Sequence, residues 1–246
     1  MAPKDPLKVG VLLPGVVQLL DLSAIDLIYM TTPEYLSACG LPTPLVNLGR
    51  PCEIHYIGKE GAGALKGCTA SISMRLTNSL DDKPVAPGNL DVLMIPGPEP
   101  SLVPEAEYLE YIQRHHEAGT TILSICTGTF VCGHSGIVKK KRVTGPRGLI
   151  PTLKAKFPEA GLWDSEMRVV KDGNLWTSGG ITNGHDLVAE YLRETYPDAL
   201  VNTILAMADV PVRSLKYDSS VARDNTFFLW QFMKALPSVM MRMIWA

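Results

Sequence analysis

A metal-binding or disulfide framework is missing from this chain of 246 residues. Its five cysteines, Cys39, Cys52, Cys68, Cys126 and Cys132, are odd in number and show neither C-x-x-C nor zinc-finger spacing. Reduced thiols in a cytoplasmic protein are therefore expected. No set of His, Asp, Glu and Cys has the spacing of a metal site. The glycine-rich segments match neither G-x-G-x-x-G nor a P-loop, so no nucleotide cofactor is expected. Strong charge is also lacking. With a formal net charge of −2 there is no electrostatic footprint for nucleic acid. No apolar run is long enough to span a membrane, because the apolar C-terminal stretch is broken by Lys234, Pro237 and Arg242. The first residues, MAPKDPLKVGVLLPG, hold only a short apolar run ending at Pro14-Gly15, so a signal peptide is not expected there. Internal repeats and low-complexity tracts are absent as well.

What is present is a chain that is 46% hydrophobic and 20% charged, enough to build one large α/β core. Apolar runs expected as strands are Lys8–Leu13, Cys52–Ile57, Cys68–Met74, Asp91–Ile95, Thr121–Ile125 and Val138–Thr144. Met167–Lys171 and Leu175–Ser178 read as a hairpin turned at Asp172-Gly173. Helices are expected over Ala24–Met30 with Ser23 as N-cap, Ser101–Ala118, Thr127–Gly136, Leu149–Phe157, Thr182–Thr195 and Ala199–Ala208. Thr31–Arg50, with three prolines, reads as a short helix and loop inserted outside the core. This alternation implies a mostly parallel sheet covered on both faces. Ligands then bind beyond the carboxyl ends of the strands, where the loops Pro14–Asp21, Pro96–Pro100, the Cys126 turn and Ser178–Asn183 should converge. The expected organisation is an α/β domain over 1–208 and a helical extension over 209–246. The Phe-, Trp- and Met-rich stretch Thr226–Ala246 is expected to pack on the domain or on a second subunit.

Candidate chemistry centres on Ser124-Ile125-Cys126-Thr127-Gly128. Small residues two positions to either side of a nucleophile, between a strand and a helix, are what a nucleophile elbow requires. A thiol at a helix start meets unpaired N–H groups, which favour the thiolate. Asp21 on the first loop is the candidate proton acceptor or donor, with Asp26 and Glu34 as rivals. A carboxylate beside the thiol would raise its pKa, so the pair works best sharing one proton. The backbone N–H of Thr127 and of Gly97 are candidate oxyanion donors, and the Thr127 hydroxyl a candidate substrate contact. The loop holding Gly180 is a further binding candidate, and His185 is the best-placed histidine. His55, His115 and His116 read as strand and surface residues; His134 and Cys132 read as remote from the reacting sulfur.

Taken together, Val9–Pro14, PGVVQLLD at 14–21, DVLMIPG at 91–97, SICTG at 124–128 and RVVKDGNLWTSGGITNGHDL at 168–187 resemble the DJ-one/ThiJ/PfpI superfamily, of the class I glutamine amidotransferase-like fold. The resemblance implies a flavodoxin-like three-layer αβα sandwich, a nucleophilic Cys126 and, with the apolar tail, a homodimer. Its isonitrile hydratase-like branch implies a cofactor-free, metal-free lyase in which Cys126, Thr127 and Asp21 hydrate a small-molecule isonitrile. Two departures disfavour the glyoxalase and deglycase-like alternative. Ala24-Ile25-Asp26-Leu27 replaces the segment that carries a glutamate, and Gly145-Pro146 stands where many relatives have Thr-His. A redox-sensing stress protein with an oxidisable Cys126 is the remaining alternative.

Overall fold

The computed structural model of the protein describes residues 5–244, with side chains as far as residue 236. Among the described residues ten strands form: β1 Leu7–Leu12, β2 Cys52–Ile57, β3 Leu65–Gly67, β4 Ser73–Arg75, β5 Val92–Ile95, β6 Thr121–Ser124, β7 Arg142–Val143, β8 Leu162–Trp163, β9 Val169–Asp172 and β10 Leu175–Ser178. Six of them build the central sheet in the order β2-β1-β5-β6-β10-β9. All neighbours are parallel except the β10–β9 edge hairpin.

The sheet is covered on both faces, and its strands show why. In β5 every residue is buried, with Val92 and Met94 facing one core and Leu93 and Ile95 the other. Alternate residues of a strand point to opposite faces, so a strand buried on both sides reads as one continuous apolar run. One core is closed by helices α1 Leu19–Leu22, α2 Ile25–Tyr29, α3 Pro33–Ala38 and α4 Thr43–Val46. The other is closed by α5 Ala106–Glu117, α6 Gly128–His134 and α7 Ile150–Lys156, through Tyr108, Ile112, Phe130, Val131 and Leu153. α8 Asn183–Thr195 supplies Leu187 and Leu192, and α9 Asp198–Met207 supplies Val201 and Ile204, to the first core. The expected flavodoxin-like three-layer sandwich is the observed architecture.

Several local expectations change. Ser23 does not cap a helix start. It ends α1, its hydroxyl donating to the Leu20 carbonyl at 2.7 Å, so the stretch becomes two short helices. That break lets Asp21 turn inward while Leu22, Ile25 and Ile28 still reach the core. The 31–50 segment is not a peripheral insertion, because Leu36 of α3 is fully buried in the main cluster. Cys68–Met74 is not one strand but the turn and second arm of the β3–β4 hairpin. Val138–Thr144 keeps only two strand residues, paired to β8 outside the main sheet. α5 starts five residues later than expected, after Pro104.

After α9 the chain returns across the domain. The Tyr217 ring lies between two guanidinium groups, each 4.5 Å from its centroid, Arg147 and Arg168. Arg147 also donates to Asp224 at 2.6 Å, fixing the start of a last helix, α10 Val221–Ile244. Beyond this anchor residues 225–235 are exposed.

Candidate active site

The turn after β6 is tight and needs its small residues. Cys126 has φ +54°, a left-handed conformation that costs a non-glycine residue on the order of 1 kcal/mol. At Gly128 a Cβ would lie 2.2 Å from the Ile95 carbonyl oxygen, so no side chain fits. On the other flank Ser124 is fully buried, its hydroxyl near that of Thr129. The small–x–Cys–x–small pattern is therefore explained by backbone crossing the neighbouring strand end.

Asp21 reaches this turn from α1 and is fully buried. Its Oδ2 accepts a hydrogen bond from the Gly97 N–H at 3.0 Å. Its Oδ1 is buried with no other aligned partner, and the Cys126 thiol is the side-chain donor facing the carboxyl. Burial outweighs both hydrogen bonds and raises the Asp21 pKa to about 7. The rivals are out of reach of this role, since Asp26 and Glu34 are exposed on the outer surface.

The sulfur is not a resting thiolate. Burial, and then the Asp21 charge, push the Cys126 thiol up to about 11. The N–H groups of Ile181 and Thr127 oppose this, less strongly. The expectation that the helix start would ionise the thiol thus fails here, because the sulfur is taken out of water next to a carboxylate. Between about pH 7 and pH 11, sulfur and carboxyl hold one proton between them. Cys132 is pushed up to about 12 by complete burial and stays a packing residue.

The oxyanion candidates must be revised. Gly97 does not offer a free N–H, because Asp21 already accepts it. Its requirement for glycine is steric: a Cβ there would stand 2.3 Å from Thr127 Oγ1 and 2.5 Å from Asp21 Oδ2. Gly97→Ala should accordingly cut any Cys126-dependent turnover by at least about tenfold and lower the melting temperature, by a displacement costing about 1–3 kcal/mol. Thermal melts and initial rates of the purified variant check this. The Thr127 hydroxyl donates to the Pro98 carbonyl at 2.6 Å, and it also lies within hydrogen-bond reach of the Cys126 sulfur, where it helps to lower the thiol pKa. The Thr127 N–H remains aimed at the sulfur.

Gly180 does not line the cleft beside Cys126; its neighbour Ile181 does. Ile181 adopts φ +35°, an outlier for a β-branched residue. That strain turns its N–H onto the sulfur and its side chain into the cleft wall. The loop is held by tail residues: Asn183 donates to the Tyr217 hydroxyl at 2.6 Å, and Arg213 donates to Asn183 and Asp186. His185 is not brought to the sulfur. Its Nε2 lies 3.2 Å from the Ser23 hydroxyl, and it lines a separate cleft with Asp186 and Arg213. His115 is not a surface residue either, being fully buried between Thr120 and the Val85 carbonyl.

The cleft over Cys126 has a volume of about 350 Å³, walled by Val16, Pro98, Pro100 and Ile181, with Gln18, Thr69 and Glu99 as its polar margin. That wall joins four loops at the carboxyl ends of β1, β5, β6 and β10, together with Thr69 from the β3–β4 hairpin. Thr69 carried no sequence signal. Its hydroxyl accepts from the Leu19 N–H at 3.0 Å and ties the hairpin to the start of α1. Among the described residues no group of three His, Cys, Asp or Glu could hold a metal ion. Among them, too, no helix is long and apolar enough to cross a membrane.

An isonitrile hydratase of Pseudomonas putida is 32% identical over 149 residues, 58% of this chain and 59% of that protein. The chain thus spans less than two thirds of the length of the curated relative it matches. Among solved structures, a ThiJ/PfpI family protein from Pseudomonas syringae superposes with a TM-score of 0.66 at 18% identity, covering 88% of this chain and 80% of the other. Drosophila melanogaster DJ-1beta gives a TM-score of 0.63 at 17% identity, covering 84% of this chain and 100% of the other. Both show the shared fold. The description of the DJ-1/PfpI family matches residues 27–194, more than half of the sequence and including the cysteine elbow and the Ile181 loop. The chain belongs to the DJ-1/PfpI family.

Proposed function

We propose that the protein is a cofactor-free hydratase that converts a small isonitrile into the N-substituted formamide. The observation that carries this reading is the placement of the Asp21 carboxyl, with a pKa near 7, against the Cys126 thiol in a cleft that presents no histidine or lysine. Glu99 stands exposed at the margin of the cleft, so the buried Asp21 carboxyl facing the thiol is the group placed to take the thiol proton and return it, and a base titrating near neutral pH is suited to both tasks. The similarity to an isonitrile hydratase supports the same substrate class.

The reaction follows from these atoms. With the Cys126 thiol pushed up to about 11, almost none of it is ionised at pH 7, so attack needs proton removal as the S–C bond forms. Asp21 accepts the thiol proton while the sulfur adds to the terminal carbon of R–N≡C. The same carboxyl delivers the proton to that carbon, giving the thioimidate R–N=CH–S–Cys126. Water then adds to this carbon, Asp21 taking one water proton and passing it to the nitrogen, which gives R–NH–CH(OH)–S–Cys126. Asp21 next takes the hydroxyl proton as the C–S bond breaks and returns it to the sulfur, and R–NH–CHO leaves. The sum is R–N≡C plus water, with no electron gained or lost. Charge building on the sulfur is met by the N–H groups of Thr127 and Ile181. The apolar walls Val16, Pro98, Pro100 and Ile181 suit an uncharged R group.

Incubation with n-butyl isonitrile, followed by NMR for N-butylformamide, tests the proposal, with methylglyoxal as the competing substrate. Formamide above the buffer control with no loss of methylglyoxal is expected. Methylglyoxal consumption without formamide would assign the site to the glyoxalase class instead.

A further inference from the structure

The chain beyond α9 returns beside the Ile181 loop, and Tyr217 is where it takes hold. Residues 215–217 run antiparallel to the approach to β9. The Arg168 N–H donates to the Leu215 carbonyl at 2.6 Å, and the Tyr217 N–H donates to the Glu166 carbonyl at 2.9 Å. The Arg168 carbonyl in turn accepts from the Gly179 N–H at 2.8 Å, so this segment and the Ile181 loop are anchored on one residue. The Tyr217 hydroxyl comes down on that loop. It accepts from Asn183 Nδ2 at 2.6 Å, and a Cβ on Gly179 would stand 2.3 Å from it. The ring is fixed as well, by the guanidinium groups of Arg147 and Arg168.

We infer that Tyr217 is a positioning residue for Cys126: through Asn183, its hydroxyl holds the Ile181 peptide with the N–H on the sulfur. Ile181 does not keep this conformation unaided. A β-branched residue at φ +35° is strained, and such strain persists only where the surroundings over-determine it. Two turns close over Ile181, the Asn183 N–H donating to the Gly180 carbonyl and the Gly184 N–H to the Ile181 carbonyl, both at 2.9 Å. Both belong to the start of α8, so a group that fixes Asn183 fixes the peptide. The Asn183 side chain is buried with both ends held, its nitrogen by Tyr217 and its oxygen by Arg213 at 3.2 Å. Tyr217 itself does not line the cleft, and it lies beyond residues 27–194, the part of the chain matched to the family. The inference goes beyond the hydration reading, because it concerns the sulfur whatever substrate it meets.

Alkylation of Cys126 by iodoacetamide across pH, in the purified full chain, tests it without any isonitrile turnover. Tyr217→Phe keeps the ring against the two arginines and removes only the hydroxyl. The rise near pH 7 belongs to Asp21 and is expected to stay. The rate above it is expected to fall about three- to tenfold, the size of one neutral hydrogen bond lost behind the Ile181 N–H. Tyr217→Leu, which also strips the ring from Arg147 and Arg168, is expected to lower the rate at least as far, and the melting temperature with it. Lys216→Ala, exposed on the same segment, is expected to keep the wild-type profile. A Tyr217→Phe profile identical to wild type would overturn the inference, with any loss confined to Tyr217→Leu then marking a packing role. An equal fall in Lys216→Ala would overturn it too. So would loss of the pH 7 rise in Tyr217→Phe, since the hydroxyl would then act through the carboxyl.

Discussion

Cys126→Ala should abolish turnover, lowering kcat by at least about 10⁴-fold, because the covalent bond to substrate has no other atom to form on. Other thiols do not substitute. Cys132 is sealed in the core, and Cys68, though buried nearby in the same apolar cluster, does not line the cleft. Stability should barely change, since alanine keeps the same left-handed backbone at φ +54°. Cys126→Gly separates the two effects. It should be equally inactive but more stable than the alanine variant by about 1 kcal/mol, because glycine adopts positive φ without the Cβ clash. Initial rates and denaturant melts of the three proteins check both statements, and retained activity in Cys126→Ala would remove the sulfur from the mechanism.

Asp21→Asn should trade activity for stability. Turnover is expected to fall about 10²–10⁴-fold with the loss of the proton acceptor, and the rise of kcat/KM with pH toward a plateau above about 7 should vanish. The stability effect has the opposite sign. In the folded protein Asp21 holds its proton up to about pH 7, whereas its ordinary value is 3.8. Between those values the folded state binds a proton that the unfolded state has lost, so wild-type stability falls as pH rises through the window. The fall is on the order of 4 kcal/mol and is complete above pH 7. Asparagine can still accept from the Gly97 N–H and never ionises. The variant should therefore be more stable than wild type at pH 8, with the gap closing toward pH 4. Denaturant melts across that range read the crossover directly.

Both expectations rest on a site that was only partly legible in the sequence. Strand Cys52–Ile57, the buried run before Pro96 and the small–x–Cys–x–small turn could be read directly, because each follows from side-chain periodicity or from a short steric rule. Asp21 was readable as a candidate, but its depth was not: that depends on the break between α1 and α2 at Ser23, where the local signal favours a single helix start. Gly97 was identified for the wrong reason. An N–H beside a nucleophile suggests an oxyanion donor, and only coordinates show that the Asp21 carboxyl already holds it. Ile181 gave no signal, since nothing in an isoleucine announces a positive φ imposed by Asn183, Tyr217 and Arg213 from distant parts of the chain. His185 illustrates the converse, a chemically suitable residue that the start of α8 directs toward Ser23 instead.

The same physics accounts for why the thiol is not ionised at rest. A helix of seven residues offers a weak dipole, while complete removal of a carboxyl and partial removal of a sulfur from water is costly for any second charge. The acid and the thiol are therefore best regarded as one titrating unit with two apparent pKa values.

Site-resolved alkylation of Cys126 by iodoacetamide, followed by mass spectrometry as a function of pH, tests that unit most directly. The wild-type rate should rise through an inflection near pH 7, as Asp21 becomes free to take the thiol proton, and Asp21→Asn, which removes a charge that raises the thiol, should lack that inflection and rise continuously with pH as a single thiol. A wild-type rate already at its plateau near pH 5, and unchanged by Asp21→Asn, would show a preformed thiolate independent of the carboxyl and would contradict the account.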